Sequence, residues 1–201
     1  MSADSSRVIE SWASLLVRSR EGDSLAFEEL LRACERRVLT IAFQITGNLQ
    51  DAQDVAQESF LRVYRSRDRF QDGRSFEAWL YRIVVNQARK SLARRRKRGM
   101  RSLEEAGVEN FRDLSRPDPA QSAVAGDLSD KVVKLLQELS PRLRTVFILR
   151  DLQGMETAEI ALILSRTETT VRRHSADARI RMRRLLEERH PGNFRQKVEK
   201  D

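Results

Sequence analysis

Of its 201 residues the chain has only one cysteine, two histidines, four prolines and eight glycines. The single thiol, Cys34, cannot close an internal disulfide, and two histidines with one cysteine do not make a zinc cluster. No apolar run approaches the roughly 18 residues of a membrane span, and the N-terminus lacks a signal-peptide core. A soluble, cytoplasmic protein without membrane insertion is expected. No Gly-rich phosphate loop, metal-ligand cluster or nucleophile–base signature is found. The expectation is therefore no catalytic residue, no metal, no cofactor, no small-molecule substrate and no enzyme activity. Strict apolar–polar alternation is also missing, which argues against a sheet.

What the chain does have is charge. Lys and Arg number 38 against 30 Asp and Glu, a net +8, and an excess of that sign suggests an anionic partner. Many merely soluble proteins are basic too, so charge alone names no function. Its distribution says more. Residues 1–99 hold 19 basic and 13 acidic side chains (net +6) and residues 131–201 hold 16 and 10 (again +6). Between them, residues 100–130 hold 3 basic and 7 acidic (net −4), include Arg116-Pro117-Asp118-Pro119 and lack a sustained helical period. This pattern predicts an all-α protein: two small basic helical domains, 1–99 and 131–188, joined by a flexible acidic linker, 100–130, with a polar tail at 189–201.

In the first domain Phe27, Leu30, Leu31, Cys34, Val38, Ile41, Ala42 and Ile45 recur at spacings of three and four. They form one apolar stripe on a helix that starts near Asp23 and ends at Gly47. Asn48 can cap the next helix, which buries Ala52, Val55, Ala56, Phe60, Val63 and Tyr64. After a break at Phe70–Arg74, Ser75 caps a third helix striped by Phe76, Trp79, Leu80, Ile83, Val84, Gln87, Ala88 and Leu92. Its end is the cation run Arg94–Arg98, favoured at a helix C-terminus; such runs are solvated or grip phosphates without sequence preference. Cys34 lies on a core stripe, where packing explains it better than redox sensing.

The second domain opens with Val132, Val133, Leu135, Leu136 and Leu139. Ser140-Pro141 then reads as an N-cap and first-turn proline for a helix running to Gly154. Two helices follow, near Thr157–Leu164 and Glu168–Glu188, separated by Ser165-Arg166-Thr167, with Thr167 as N-cap. Helix, three-residue turn and Arg-rich second helix is the pattern of a helix-turn-helix.

These stretches together resemble the extracytoplasmic-function (ECF, group IV) sigma factors of bacterial RNA polymerase. Leu15–Arg18 with Gly22–Leu30 is similar to the family's opening helices, Asp51–Tyr64 to its polymerase-binding helix and Phe76–Asn86 to its promoter-melting helix. The second domain adds Leu139-Ser140-Pro141, Val146–Asp151, Glu159-Ile160-Ala161 and Thr170–Arg173. The likeness spans roughly Leu15–Leu186, leaving the linker unmatched. It departs from the family's pattern at Ser165, where a glycine or acid is usual, and at Glu156, where a Ser usually starts the helix. His174-Ser175-Ala176-Asp177 also stands where relatives have larger or basic side chains.

The resemblance implies a transcription initiation factor that binds core RNA polymerase and promoter DNA, reads minus-10 and minus-35 elements, and answers to an anti-sigma factor. Asp54, Gln57, Glu58, Leu61 and Arg62 lie opposite the apolar stripe of their helix. Most such faces are merely solvated, but an apolar Leu61 among charges is what an interface centre offers, and the resemblance assigns the face to core polymerase. On the third helix Arg82, Asn86, Arg89 and Lys90 share one face; cations there can neutralise phosphates and Asn86 can pair with a base edge. Phe70 and Tyr81 are less clearly buried than Trp79 and could stack on unpaired bases. The loop Phe70, Gln71, Asp72, Gly73, Arg74, Ser75 is otherwise a plain connector; by resemblance it holds a flipped minus-10 base. On the last helix Thr169, Arg172, Arg173, His174, Ala176, Asp177 and Arg179 are the minus-35 candidates, with His174 and Arg179 better suited to phosphate.

Two other functions compete. An autonomous helix-turn-helix regulator would footprint DNA without polymerase. A recombinase would need a catalytic Ser or Tyr in a mixed α/β domain, and the first 99 residues lack strand signals.

Overall fold

The computed structural model describes residues 11–97 and 131–189. The linker at 100–130, the tail beyond Arg189 and Arg98 of the cation run lie outside the described residues. Every regular element among those residues is helical, as the periodicity predicts. We number the helices α1 (Trp12–Arg20), α2 (Ser24–Thr46), α3 (Leu49–Ser66), α4 (Phe76–Lys97), α5 (residues 131–138), α6 (Pro141–Phe147), α7 (Thr157–Leu164) and α8 (Glu168–Arg189).

Local chemistry sets most of these boundaries. Asp23 accepts from the backbone N–H groups of Leu25 and Ala26 at 3.0 and 3.1 Å, starting α2. Those bonds, then the adjacent Arg18 guanidinium, hold the Asp23 carboxyl below its usual range. Gly47 ends α2 at φ +70° with its N–H on the Phe43 carbonyl, 2.7 Å away. Asn48 caps α3 through the Asp51 N–H at 2.9 Å. Ser75 caps α4 through the Ala78 N–H at 3.1 Å. Thr167 caps α8 through the Thr170 N–H at 3.2 Å. Glu156, in place of a hydroxyl cap for α7, is held differently: its N–H donates to Glu159 Oε2 at 3.1 Å and its own carboxylate takes Arg150 at 3.2 Å.

Two expectations at the start of the second domain need correction. Ser140 makes no side-chain capping bond; its carbonyl instead accepts from the Arg144 N–H at 2.9 Å. The helix expected to run to Gly154 is α-helical only to Phe147 and widens to a π-turn over Ile148–Leu152, where Gln153 donates to the Ile148 carbonyl at 2.9 Å.

The turn between α7 and α8 is short because Ser165 takes the left-handed conformation, φ +52°. A side chain there costs about 1–2 kcal/mol that glycine avoids. Ser165→Gly is therefore expected to raise stability by about 1 kcal/mol. Chemical denaturation checks this, and a lower midpoint would show that the turn is unstrained.

In the first domain α2 carries Leu30, Ile41, Phe43 and Ile45 into a core completed by Leu16 of α1 and Phe76 and Leu80 of α4. In the second, Leu136, Ile148, Leu149, Ile160 and Leu185 are fully enclosed. Two polar groups of the second domain grip the end of α2. Gln137 Nε2 donates to the Gln44 carbonyl at 3.0 Å, and Arg144 Nη1 to the Ile45 carbonyl at 2.7 Å. Arg144 is only 6% exposed. It also donates to the carbonyls of Leu136 (2.8 Å), Gln137 (2.8 Å) and Leu139 (3.2 Å) and to the side-chain oxygen of Gln137. One guanidinium thus satisfies the orphan carbonyl ends of two helices, α2 and α5. Burial, and then the charge of Arg96, push its pKa down to about 10.

Candidate nucleic-acid interface

The α3 face emerges as the stripe implied. Ala52, Val55, Ala56 and Val63 are buried, whereas Asp54, Gln57, Glu58, Leu61 and Arg62 are exposed. Leu61 keeps 44% of its surface in solvent. Tyr64 departs from the expected stripe: it is exposed, its ring edge-on to Phe27 at 5.0 Å and covered by the Arg67 guanidinium at 4.2 Å. Beside this face runs a groove of about 790 Å³ between α3 and α4. Asp54 and Glu58 line one wall, Lys90, Arg94 and Lys97 the other. Asp51 ties the two helices together through Arg95 at 3.0 Å and Ser91 at 3.2 Å.

Along α4, Arg82, Asn86 and Lys90 are exposed together, and Arg89 is half-buried. Burial, and then the neighbouring cations Arg166 and Arg142, hold Arg89 below its usual pKa. The aromatic expectations require correction. Tyr81 is 2% exposed, and burial raises its pKa, so its ring is core rather than a free stacking platform. Phe70 is 5% exposed, packed on Phe76 at 5.6 Å and Trp79 at 5.4 Å. Trp79, expected in the core, is half-buried. With Phe70, Arg74 and Arg82 it lines a cavity of about 490 Å³ whose far wall is Leu162 and Ile163 of α7. The rest of the loop, Gln71, Asp72, Gly73, Arg74 and Ser75, is exposed. Arg20 steadies it by pairing with Asp72 at 2.6 Å.

On α8 the buried side is Val171, Ala178 and Leu185, as expected, with Ser175 and Met182 added. Thr169, Arg172, Arg173, Ala176 and Asp177 face solvent and His174 is half-buried. Arg172 is tied to Glu168 and Arg179 to Asp151, each at 2.6 Å. Arg179 is thus engaged by its own domain, whereas Arg173 has no ion pair among the described residues. Arg144, Gln137, and the cations Arg142 and Arg166 beside Arg89 escaped the sequence reading.

The Sigma-70 region 2 family model matches residues 30–98, and the Sigma-70 region 4 model matches residues 129–182. The chain is 32% identical to the RNA polymerase sigma-H factor of Pseudomonas aeruginosa over 165 residues, covering 79% of this chain and 84% of that one. It is 28% identical to the ECF sigma factor SigW of Bacillus subtilis, covering 83% and 92%, and 31% identical to the ECF sigma-E factor of Escherichia coli, covering 79% and 85%. In fold it is similar to CnrH, solved in complex with the cytosolic domain of CnrY (TM-score 0.65, 23% identity, 89% of this chain and 99% of that one). It is likewise similar to RpoE of Bartonella quintana, solved with the anti-sigma factor NepR (TM-score 0.60, 23% identity, 80% and 96%). Both family regions occur in order on the two helical domains, and close relatives match along most of their length: the chain belongs to the ECF sigma factors of RNA polymerase.

Proposed function

We propose that this chain recruits core RNA polymerase to promoters, reading a minus-10 element with the first domain and a minus-35 element with the second. The observation that carries this is the division of labour on the surface. The first domain presents an acidic face centred on exposed Leu61 beside a cationic α4 face, and the second presents the outward half of an Arg-rich recognition helix. An interface needs an apolar centre with charges at its rim; DNA needs cations for phosphates and a few base readers. The domain limits 1–99 and 131–188 follow that division, with 100–130 as the connecting segment. Nucleotidyl transfer falls to the polymerase, so the chain itself performs no chemistry, and its place of work is the cytoplasm.

Run-off transcription tests the reading. Core polymerase with this chain, given a library of promoters randomised at both elements, should yield transcripts from a defined subset, and neither component should do so alone. A footprint by the chain without polymerase, with no run-off product, would favour an autonomous regulator. RpoE was solved with the anti-sigma factor NepR and CnrH with the cytosolic domain of CnrY, which supports an anti-sigma partner for this chain as well.

A further inference from the structure

Arg179 directly follows fully buried Ala178 on α8, yet its side chain is 59% exposed. Its Nε donates to Asp151 Oδ1 at 2.6 Å, and no other group among the described residues takes the guanidinium. The pair is incomplete on both sides. Arg179 keeps both terminal nitrogens free, and that end of the fork matches two oxygens of a phosphate. Asp151 is only 17% exposed, and its Oδ2 is buried without a hydrogen-bond partner. A carboxylate half withdrawn from water to meet one exposed arginine adds little to stability, so the pair calls for another reason. Its setting is rigid. Asp151 lies in the π-turn Ile148–Leu152, a kind of turn frequent at functional sites. Ile148 and Leu149 are fully buried, and their carbonyls accept from Gln153 N–H at 2.9 Å and Met155 N–H at 3.0 Å.

A helix-turn-helix inserts the N-terminal half of its second helix into the major groove. Arg179 falls just past the middle of the 22 residues of α8, where such a helix leaves the groove and passes the sugar–phosphate backbone. We propose that Asp151 is a positioning residue for minus-35 binding: it fixes Arg179 through Nε so that the terminal nitrogens meet one backbone phosphate. The proposal rests on reading α8 as the minus-35 helix. It gives Asp151 an effect opposite to that of its charge alone, because a bare carboxylate beside DNA repels phosphate.

The test measures how polymerase holoenzyme, reconstituted with the full chain, binds promoter duplexes over a range of salt concentrations. Arg179→Ala should lower affinity equally for every minus-35 sequence and make the salt slope shallower by about 0.9, the share of one phosphate. Asp151→Ala should lower affinity roughly two- to tenfold, the cost of immobilising one long side chain on binding, with the slope unchanged. In the Arg179→Ala background the same Asp151→Ala change should have no effect. Should Asp151→Ala lose helicity, Asp151→Asn, which keeps the shape and an acceptor oxygen, serves in the same cycle with a smaller loss. Undiminished affinity of a folded Asp151→Ala holoenzyme would overturn the proposal. An equal loss in both backgrounds would also overturn it, since that marks a strut of the domain. Native holoenzyme indifferent to a scrambled minus-35 element would overturn the reading of α8, and the proposal with it.

Discussion

Leu61→Arg should abolish binding to core polymerase while leaving the first domain folded. The side chain already has 44% of its surface in solvent and lies opposite the buried row of Ala52, Val55, Ala56 and Val63. An arginine there leaves the domain core untouched, and such surface changes stay within about 0.5 kcal/mol. Under the proposed docking the same position would be the apolar centre of a charged patch. Burying a leucine contributes about 1.5–3 kcal/mol, and central apolar anchors carry most of an interface's energy. The substitution removes that gain and adds the desolvation of an unpaired cation. Circular dichroism should show native helicity and melting, while co-purification with core enzyme should fall below detection. A folded Leu61→Arg chain that still co-purifies would mean this face is only a solvated surface. Asp51 makes a useful contrast on the same helix. Its pairing with Arg95 and Ser91 ties α3 to α4, so Asp51→Ala should lower stability first and binding only in consequence.

The features legible in advance were those whose cause is local. Asp23, Asn48, Ser75 and Thr167 cap their helices because a short polar side chain placed just before an apolar period can reach the free N–H groups of the next turn. The last two helices end close to where the sequence put them, for the same reason. What escaped depends on how many neighbours a helix has. The α4 helix packs on α1, α2, α3 and, through α7, on the second domain. A single stripe was too narrow a model for it. Tyr81 and Val85 therefore lie in the core, and Trp79, on the expected stripe, is left half-open. Phe70 is buried by rings from α4 that follow it in the chain, a contact no periodicity encodes. Tyr64 fell outside its stripe because it stands at helical spacing from exposed Gln57 and Leu61, whereas Val63, one residue earlier, faces the core.

Arg144 illustrates a different limit. In sequence it is one more cation in a basic domain, and the default for an arginine is a solvated surface. It is buried because two helix ends, α2 and α5, bring uncapped carbonyls to one point, and only a five-donor group can serve them all. The convergence depends on tertiary packing, so it cannot be read from spacing. The same holds for the charge of Arg166 that helps hold Arg89 below its usual pKa, since the two are far apart in the chain.

On the second domain the residue expected to matter most is Arg173. Arg173→Ala should cost about 1–3 kcal/mol, roughly five- to 150-fold, at one base pair of the minus-35 element and should relax preference there. Placement in the N-terminal half of α8 puts it where a helix-turn-helix enters the major groove. Three neighbours narrow the choice. Arg172 is held by Glu168 and Arg179 by Asp151, so each would have to give up an ion pair to reach a base. His174 is half-buried and Ala176 offers only a methyl contact. Arg173 is exposed and without an ion pair among the described residues, free to present two parallel N–H groups to guanine O6 and N7. Asp177, one turn further along the same face, repels phosphate and can accept from cytosine N4, so a guanine and a cytosine contacted in succession suit the pair. Competition binding of the polymerase holoenzyme to promoters substituted one base pair at a time separates the outcomes. A loss confined to one position, with native affinity for the already substituted promoter, is the expected result. An equal loss on every promoter, with a shallower salt dependence, would make Arg173 a phosphate contact. The reading of the minus-35 element would then move to Arg172 and Asp177.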